Sequence, residues 1–355
     1  MKRIYLFLVT CAAVLIGTAL LWLFSLGRYD NRAENWVLRA YLVKEHHAEQ
    51  SPAPRILIVS GSNSLFGIDS ETLEALLHKP VVNLATHGSL GLDFHLKFAL
   101  KQAQAGDLVI VPLEYAYYSP SVSELSDWQV TNMESWGVKF VDWDFWTLVR
   151  YFRHSSIFRT FQRLKSATIP LMSKEEILAI AEKNSASIFL RSEDVGSTMP
   201  VNSRGDLLMA EPASGPDNFG YPFGKVSGDT IKQLKNFQIA LEKKHATLRL
   251  TWPVTMKNPG FDLSLARDID RTEKLRSTLE EAGLPMICDA RNFQFERRLF
   301  LDSIYHLTAE GAILRTEALA ACLQNRPPDK GLAAEIYRKK KALADAAYAT
   351  RTQQK

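Results

Sequence analysis

Cysteine is scarce in this chain and lacks pattern: Cys11, Cys288 and Cys322 are the only three thiols in 355 residues, with no C-x-x-C spacing. That excludes a disulfide-stapled scaffold and a cysteine-rich zinc site. Cys288 and Cys322 sit in apolar stretches and read as two separate buried thiols, with a bridge between them left open for an oxidising compartment. An excess of charge of one sign is lacking too. The formal net charge is +4, and basic residues are scattered among acidic ones except in the short run Arg338, Lys339, Lys340 and Lys341. That run fits the solvated side of a helix. A nucleic-acid-binding face needs concentrated basic residues interleaved with aromatics, and no such footprint is present. No internal repeat or low-complexity tract appears. At 46% hydrophobic and 23% charged residues, the composition is that of a folded protein with one large domain or two modest ones.

Long apolar runs are lacking everywhere except at the start. From Ile4 to Leu26 there is no charged residue, and at about 1.5 Å per residue the run is long enough for a hydrocarbon core of about 30 Å. Residues 1–27 therefore read as a transmembrane anchor. A cleaved signal peptide is the competing reading, but its apolar region would be about 7–15 residues and would end in small residues. Here the segment closes on Leu23, Phe24, Ser25, Leu26 and Gly27. Lys2 and Arg3 with the free amine favour a cytoplasmic N-terminus, against the weaker counterweight of Arg28 and Arg32 beyond the span. The expectation is a single-pass protein of the inner (cytoplasmic) membrane, with its main domain in the periplasm or outside the cell.

Residues 28–54 read as a stalk helix, with Trp36, Val37, Tyr41 and Leu42 on one stripe, followed by a linker marked by Pro52 and Pro54. Beyond it, apolar runs at 55–59, 81–84, 107–112, 247–252 and 285–288 read as buried strands. They alternate with stretches at 70–77, 92–103, 229–244, 264–282 and 308–323 that read as helices. Such alternation predicts an α/β domain, a parallel sheet covered by helices. The stretch 115–228 lacks this rhythm and reads as an aromatic-rich insertion containing Trp128, Trp136, Trp143 and Trp146. Those rings either form the core of a small subdomain or stack on sugars. Residues 326–355 read as a charged C-terminal helix or tail.

Ligands of parallel α/β sheets gather beyond the carboxyl ends of the strands. The first strand runs into Ser60, Gly61, Ser62, Asn63 and Ser64, where a tight glycine turn exposes a serine hydroxyl and nearby amides can face a developing oxyanion. The second runs into His87 and Gly88, and the glycine allows close backbone approach to a substrate. Far downstream, Asp302 and His306 stand four residues apart just before the last helix, with Thr308 at its N-cap position. A histidine acting as a base needs a carboxylate to fix its tautomer and stabilise its cation.

A serine after the first strand, a glycine after the second and an Asp/His pair before the last helix, in that order, give residues 55–323 a layout that resembles the SGNH/GDSL hydrolase superfamily. The resemblance implies a flavodoxin-like three-layer parallel sheet over residues 55–325 and acyl-ester chemistry needing no metal or organic cofactor. It implies catalytic Ser62, His306 and Asp302, with the amides of Ser62 and Gly88 as oxyanion donors. Three departures stand out. The family's Gly-Asp-Ser appears as Gly61, Ser62 and Asn63, which leaves Ser64 as an alternative nucleophile. Its Asp-x-x-His is one residue longer here. Its Gly-x-Asn after the third strand is replaced by Pro112, Leu113, Glu114 and Tyr115, so a side-chain oxyanion donor is missing. Glu114 either tunes the site, binds a polar substrate or is a structural ion-paired carboxylate. Asn63, Glu114 and Trp252 are the candidate substrate-binding residues.

With its anchor, the layout is similar to the SGNH proteins that serve O-acetylation of envelope polysaccharides beside a multispanning membrane-bound O-acyltransferase. That similarity implies an O-acyltransferase or esterase acting on a cell-envelope glycan through a seryl-acyl intermediate. The missing Asn keeps open a non-catalytic binding or scaffold component of an envelope-polymer assembly complex.

Overall fold

The computed structural model describes residues 1–30, 33–120, 125–166, 172–191, 201–210, 220–221 and 224–353; Arg32 and several stretches of the expected insertion lie outside the described residues. In chain order the elements begin with α1 (Lys2–Ser25), α2 (Asn35–Gln50), β1 (Ile56–Ile58), α3 (Ser62–Leu65), α4 (Ser70–Leu77), β2 (Val81–Asn83), α5 (Leu92–Gln102) and β3 (Leu108–Val111). Then come α6 (Asp127–Glu134), α7 (Phe145–His154), α8 (Ile157–Lys165), α9 (Lys174–Ser185) and α10 (Gly228–Lys243). The chain closes with β4 (Thr247–Leu250), β5 (Thr255–Met256), α11 (Ala266–Glu281), β6 (Gln294–Phe295), α12 (Ala309–Leu323) and α13 (Lys330–Gln353). They form two compact units: Met1–Leu38 with Glu124–Met172, and Arg39–Ser123 with Ser173–Lys355.

The larger unit is built on a four-stranded sheet of order β2-β1-β3-β4 in which every pair is parallel. All of β1 is buried. A parallel sheet with both faces covered calls for such uninterrupted Val, Ile and Leu rather than alternation. The chain leaves β1 for β2 in one direction and then returns past β1 to β3 and on to β4 in the other. Right-handed crossovers therefore put α4 on one face and α5 and α10 on the other, and the packing pairs α4 with α12 and α5 with α10. The strand order reverses between β1 and β3, and the carboxyl ends of strands at such a switch point are where parallel α/β sheets hold their ligands. Asp69, Ser227 and Thr308 cap α4, α10 and α12 by accepting a hydrogen bond from an amide of each helix's first turn, satisfying a donor that the helix leaves without a partner.

Four expectations change. The strand at 285–288 shrinks to a single parallel bridge between Leu250 and Met286, because Pro285 has no amide to donate and Cys288 turns to a φ of 68°. The stalk is not free-standing. From Arg39 onward α2 belongs to the larger unit, where Tyr41, Lys44 and Ala48 are buried on successive turns. Cys288 and Cys322 are not separate thiols but a disulfide, which ties the bridge segment to α12. The basic run near the C-terminus lies on α13, and its Lys340 pairs with Asp69 and Glu71 rather than facing solvent alone.

In the smaller unit, α1 is long and apolar enough to cross a membrane, and none of its most apolar window is buried. Its last turn is different. Trp22 and Ser25 are buried; the Trp22 indole donates to Glu134 Oε1 at 2.7 Å, and Arg163 pairs with Glu134 Oε2 at 2.6 Å. Arg163 also donates to Ser25 Oγ. The two charged side chains are 0% exposed, and a buried pair is tolerable only because each remaining polar atom finds a partner. Trp22, Trp143, Tyr151 and Phe152 stack edge to face around this pair. The indoles of Trp128, Trp136 and Trp143 donate to Glu34, Asn132 and the Val138 carbonyl; Trp136 is buried and the other two are half-buried, so all three are engaged within the unit. Trp146, 76% exposed, is not.

The disulfide is directly testable. Denatured without reductant, the protein should take up alkylating reagent at Cys11 alone; labelling of all three cysteines would contradict the bridge. Reducing it should lower stability by about 4 kcal/mol, from the loop-closure entropy of a 34-residue separation.

Candidate active site

The turn that follows β1 lies at the carboxyl end of the strand. After β1 the chain passes Gly61 into the one-turn helix α3, with Ser62 at its first position. A Cβ on Gly61 would lie 2.5 Å from Glu114 Oε1 and 2.8 Å from the Gly88 Cα. Only glycine allows this approach, and it brings the loop after β2 against the turn after β1. Glu114, at the end of β3 and 5% exposed, accepts from the amides of Gly61 at 3.3 Å and Asn63 at 3.0 Å. Its carboxylate thus stands in the turn itself and is a structural acceptor for it. The amides of Ser62 and Gly88 have no acceptor among the described residues, and a Cβ on Gly88 would lie 3.9 Å from the Ser62 nitrogen. The two expected oxyanion donors are therefore neighbours.

Successive residues on a helical turn point about 100° apart, and this separates the two serines. Ser62 is partly exposed, whereas Ser64 is 0% exposed, its hydroxyl 3.3 Å from Asn63 Oδ1 and 3.4 Å from an Arg315 nitrogen. Two of the expected substrate contacts face inward instead. Asn63 donates to Ser60 Oγ and the Pro112 carbonyl and accepts from Arg315. Trp252, 1% exposed, donates to the Cys288 carbonyl. Both side chains have their polar atoms engaged within the interior and hold structure.

His306 arrives from the other end of the domain. The segment before α12 folds back on itself through the bridge Phe300 to Leu307, with the Leu301 amide donating to the His306 carbonyl at 2.8 Å. This brings His306 Nδ1 to 2.7 Å from Asp302 Oδ1. The hydrogen bond from His306 holds the Asp302 carboxyl below its usual range, though at 73% exposed Asp302 is heavily screened by solvent. The His306 ring stacks on Phe66 at 4.1 Å between centroids and 17° between planes. Phe66 closes α3, its amide bonded to the Ser62 carbonyl. Histidine and serine are thus set one turn apart through Phe66. Among the described residues the Ser62 hydroxyl has no hydrogen-bond partner, His306 included.

Several residues that hold this arrangement carried no expectation. Arg315 of α12, 1% exposed, donates to the Asn63 carbonyl at 2.5 Å and to Asn63 Oδ1 at 2.6 Å. Burial pushes its guanidinium down to about 9, against the opposing attraction of Glu114. An arginine inside the apolar run 309–321 was the visible signal, because such a charge needs a buried partner. Tyr305 accepts from the Tyr115 amide at 3.2 Å and ties the histidine loop to the end of β3. Beneath the turn, Asn83 donates to the Ser64 carbonyl and to Asp206, and Lys44 donates to the Asn83 carbonyl. Burial moves Lys44 down to about 7 and Asp206 up to about 6, each toward its neutral form.

Gly88 has a support chain of its own. The Tyr117 hydroxyl donates to the Gly88 carbonyl, His95 Nε2 lies 3.0 Å from that hydroxyl, and Thr86 Oγ1 lies 3.4 Å from His95 Nδ1. Tyr117 has one proton and gives it to Gly88, so His95 Nε2 must be the donor to it. Burial, helped by the charge of His87, pushes His95 down to about 3. The ring is therefore neutral, and its bare Nδ1 accepts from Thr86.

Among the described residues no group of three or more His, Cys, Asp or Glu is placed to hold a metal ion. Models of known protein families and characterised proteins were both compared with the chain, and neither comparison gives a match.

His95 sets a pH dependence whose sign is fixed. Its folded value lies below the ordinary histidine value, so the unfolded chain binds the extra proton and stability is lost as pH falls below about 6.5. From pH 6.5 to 4.5 this residue alone should remove about 2 kcal/mol from the unfolding free energy. His95→Gln, which keeps a donor for Tyr117, should flatten that acid limb in urea titrations; an equally steep limb would show that His95 does not titrate between the two states.

Proposed function

We propose that this protein is a membrane-anchored, extracytoplasmic serine acyl-ester enzyme of SGNH/GDSL type with a flavodoxin-like core, an O-acyltransferase or esterase using Ser62, His306 and Asp302. The observation that carries the reading is that His306, hydrogen-bonded to Asp302, stacks on Phe66, the residue that closes the one-turn helix begun by Ser62. The strand reversal at β1 and β3 supports it by placing that turn where parallel α/β sheets hold their ligands. The buried position of Ser64 favours Ser62 as the nucleophile.

With Nδ1–H donated to Asp302, His306 presents a bare Nε2. Ser62 Oγ attacks the acyl carbonyl carbon as Nε2 takes its proton, and Asp302 stabilises the imidazolium. The amides of Ser62 and Gly88 receive the oxyanion. Collapse breaks the bond to the leaving oxygen, which takes the proton back from Nε2, and leaves an ester on Ser62. A sugar hydroxyl or water, deprotonated by His306, then attacks that ester; the bond to Ser62 Oγ breaks and His306 returns the proton to the serine. The glycan class of acceptor comes from the resemblance of the layout to envelope O-acetylation proteins, and so does a multispanning membrane-bound O-acyltransferase as partner. An uncleaved anchor is supported by the last turn of α1, whose Trp22 and Ser25 bond to Glu134 and Arg163 within one folded unit. The disulfide suits an oxidising compartment.

A non-catalytic binding role has its own support. Glu114 places a carboxylate beside the oxyanion donors, in the position where the family carries an uncharged donor.

Hydrolysis of a chromogenic acetyl ester by the detergent-purified full chain separates the two. Ser62→Ala, His306→Ala and their double variant should fall to a common floor, down by about 10³-fold or more, because triad members act as a unit. Asp302→Asn should lose less, and Ser64→Ala should keep its activity if it folds. Loss in Ser64→Ala with retention in Ser62→Ala would move the nucleophile; equal turnover in every variant would leave the binding role.

A further inference from the structure

Helix α8 is built inside out, and α7 adds exposed aromatics of its own. In α8 the buried positions are Thr160 and Arg163, while Ile157, Phe158 and Phe161 are exposed by 48%, 63% and 47%. In α7 the buried position is Tyr151, while Phe145 and Trp146 are exposed by 67% and 76%. A helix on a water-soluble protein turns its apolar stripe to the core and its charges outward. In α8 the charge faces in, Arg163 paired with Glu134, and the aromatics face out; α7 exposes Phe145 and Trp146 together with Arg150 and Arg153. A clustered apolar surface of this kind marks a covered face.

What covers it is indicated by α1, which packs on α8 within the same unit. The contact lies at the C-terminal end of α1, where Arg163 reaches Ser25. Exposed apolar side chains line α1 from Ile4 to Phe24, which is 66% exposed. Arg28 lies 4.4 Å above the Phe24 ring, an aromatic with a cation at the point where a span meets the headgroups. Neither α7 nor α8 contains an acidic residue, and Arg150, Arg153 and Lys165 are exposed on them. Amphipathic helices with a basic polar side and Trp or Phe on the other lie in the plane of a bilayer interface.

We propose that α7 and α8 lie in the lipid–water interface at the outer end of α1, with Phe145, Trp146, Ile157, Phe158 and Phe161 among the acyl chains and the basic side chains at the phospholipid headgroups. This rests on reading α1 as an uncleaved membrane anchor. The two helices then fix the height and tilt of the smaller unit on the bilayer, which one helix free to rotate would not do.

The test uses the full chain reconstituted into phosphatidylcholine and phosphatidylglycerol vesicles whose acyl chains carry bromine near the headgroup. The emission of Trp146 is taken as the difference between the protein and its Trp146→Phe variant, which keeps the face apolar. Bromine should remove most of that emission, and aqueous acrylamide should leave it nearly unchanged. Flotation with the vesicles combined with quenching by acrylamide and not by bromine would overturn the proposal and leave the anchor standing. Protection from acrylamide in native membranes but not in lipid vesicles would assign the face to a protein partner and overturn it equally. Failure of the chain to float would remove the anchor itself.

Discussion

The fold of the larger unit turns on a strip of three residues held between two buried charges. Glu114 accepts from the amides on either side of Ser62, and Arg315 grips the Asn63 carbonyl and side chain from α12. Taking a carboxylate and a guanidinium out of water costs several kcal/mol for each, so the pair is not a simple source of stability. The depressed Arg315 shows that desolvation outweighs the attraction of Glu114. What the arrangement supplies is register. It fixes β1, β3 and α12 to one another at a single turn, and α12 begins at Thr308, just after His306. Locking α12 to the serine turn is therefore what brings the Asp302–His306 loop over Phe66. Sites placed by rigid elements in this way need little help from their own loops.

Much of this was legible along the chain. The strand-forming runs announce themselves because a parallel sheet buries both faces of each strand, and Thr308 caps its helix as its residue type predicts. Other features depend on partners far away in sequence. The bridge between Cys288 and Cys322 forms because α12 passes the end of the 285–288 segment, a coincidence that no local pattern encodes. Asn63 and Trp252 have the chemistry of substrate contacts, but residue type does not say which way a side chain faces. In α3 that direction leaves Ser62 partly exposed and buries Ser64. Arg315 and His95 left one local trace each, a polar residue inside an apolar helical run, and both prove to sit in buried networks.

The smaller unit was less legible for the same physical reason. Its aromatics are visible at 128–146, but the partner that makes them a core is Trp22, 112 positions before Glu134. An amphipathic pattern in α7 and α8 predicts an apolar face toward the protein. In α8 the buried Arg163–Glu134 pair reverses it, and that reversal appears only when the helix is seen against α1.

Whether Ser62 is a nucleophile activated by His306, as proposed, can be tested without measuring turnover. A fluorophosphonate reagent bonds to an activated serine and reports the residue by peptide mass. The expected result is a single adduct on the peptide carrying Ser62, placed on Ser62 by fragmentation and lost in His306→Ala while that variant keeps its melting temperature. An adduct on Ser64, or labelling of Ser62 that is indifferent to removal of His306, would contradict it.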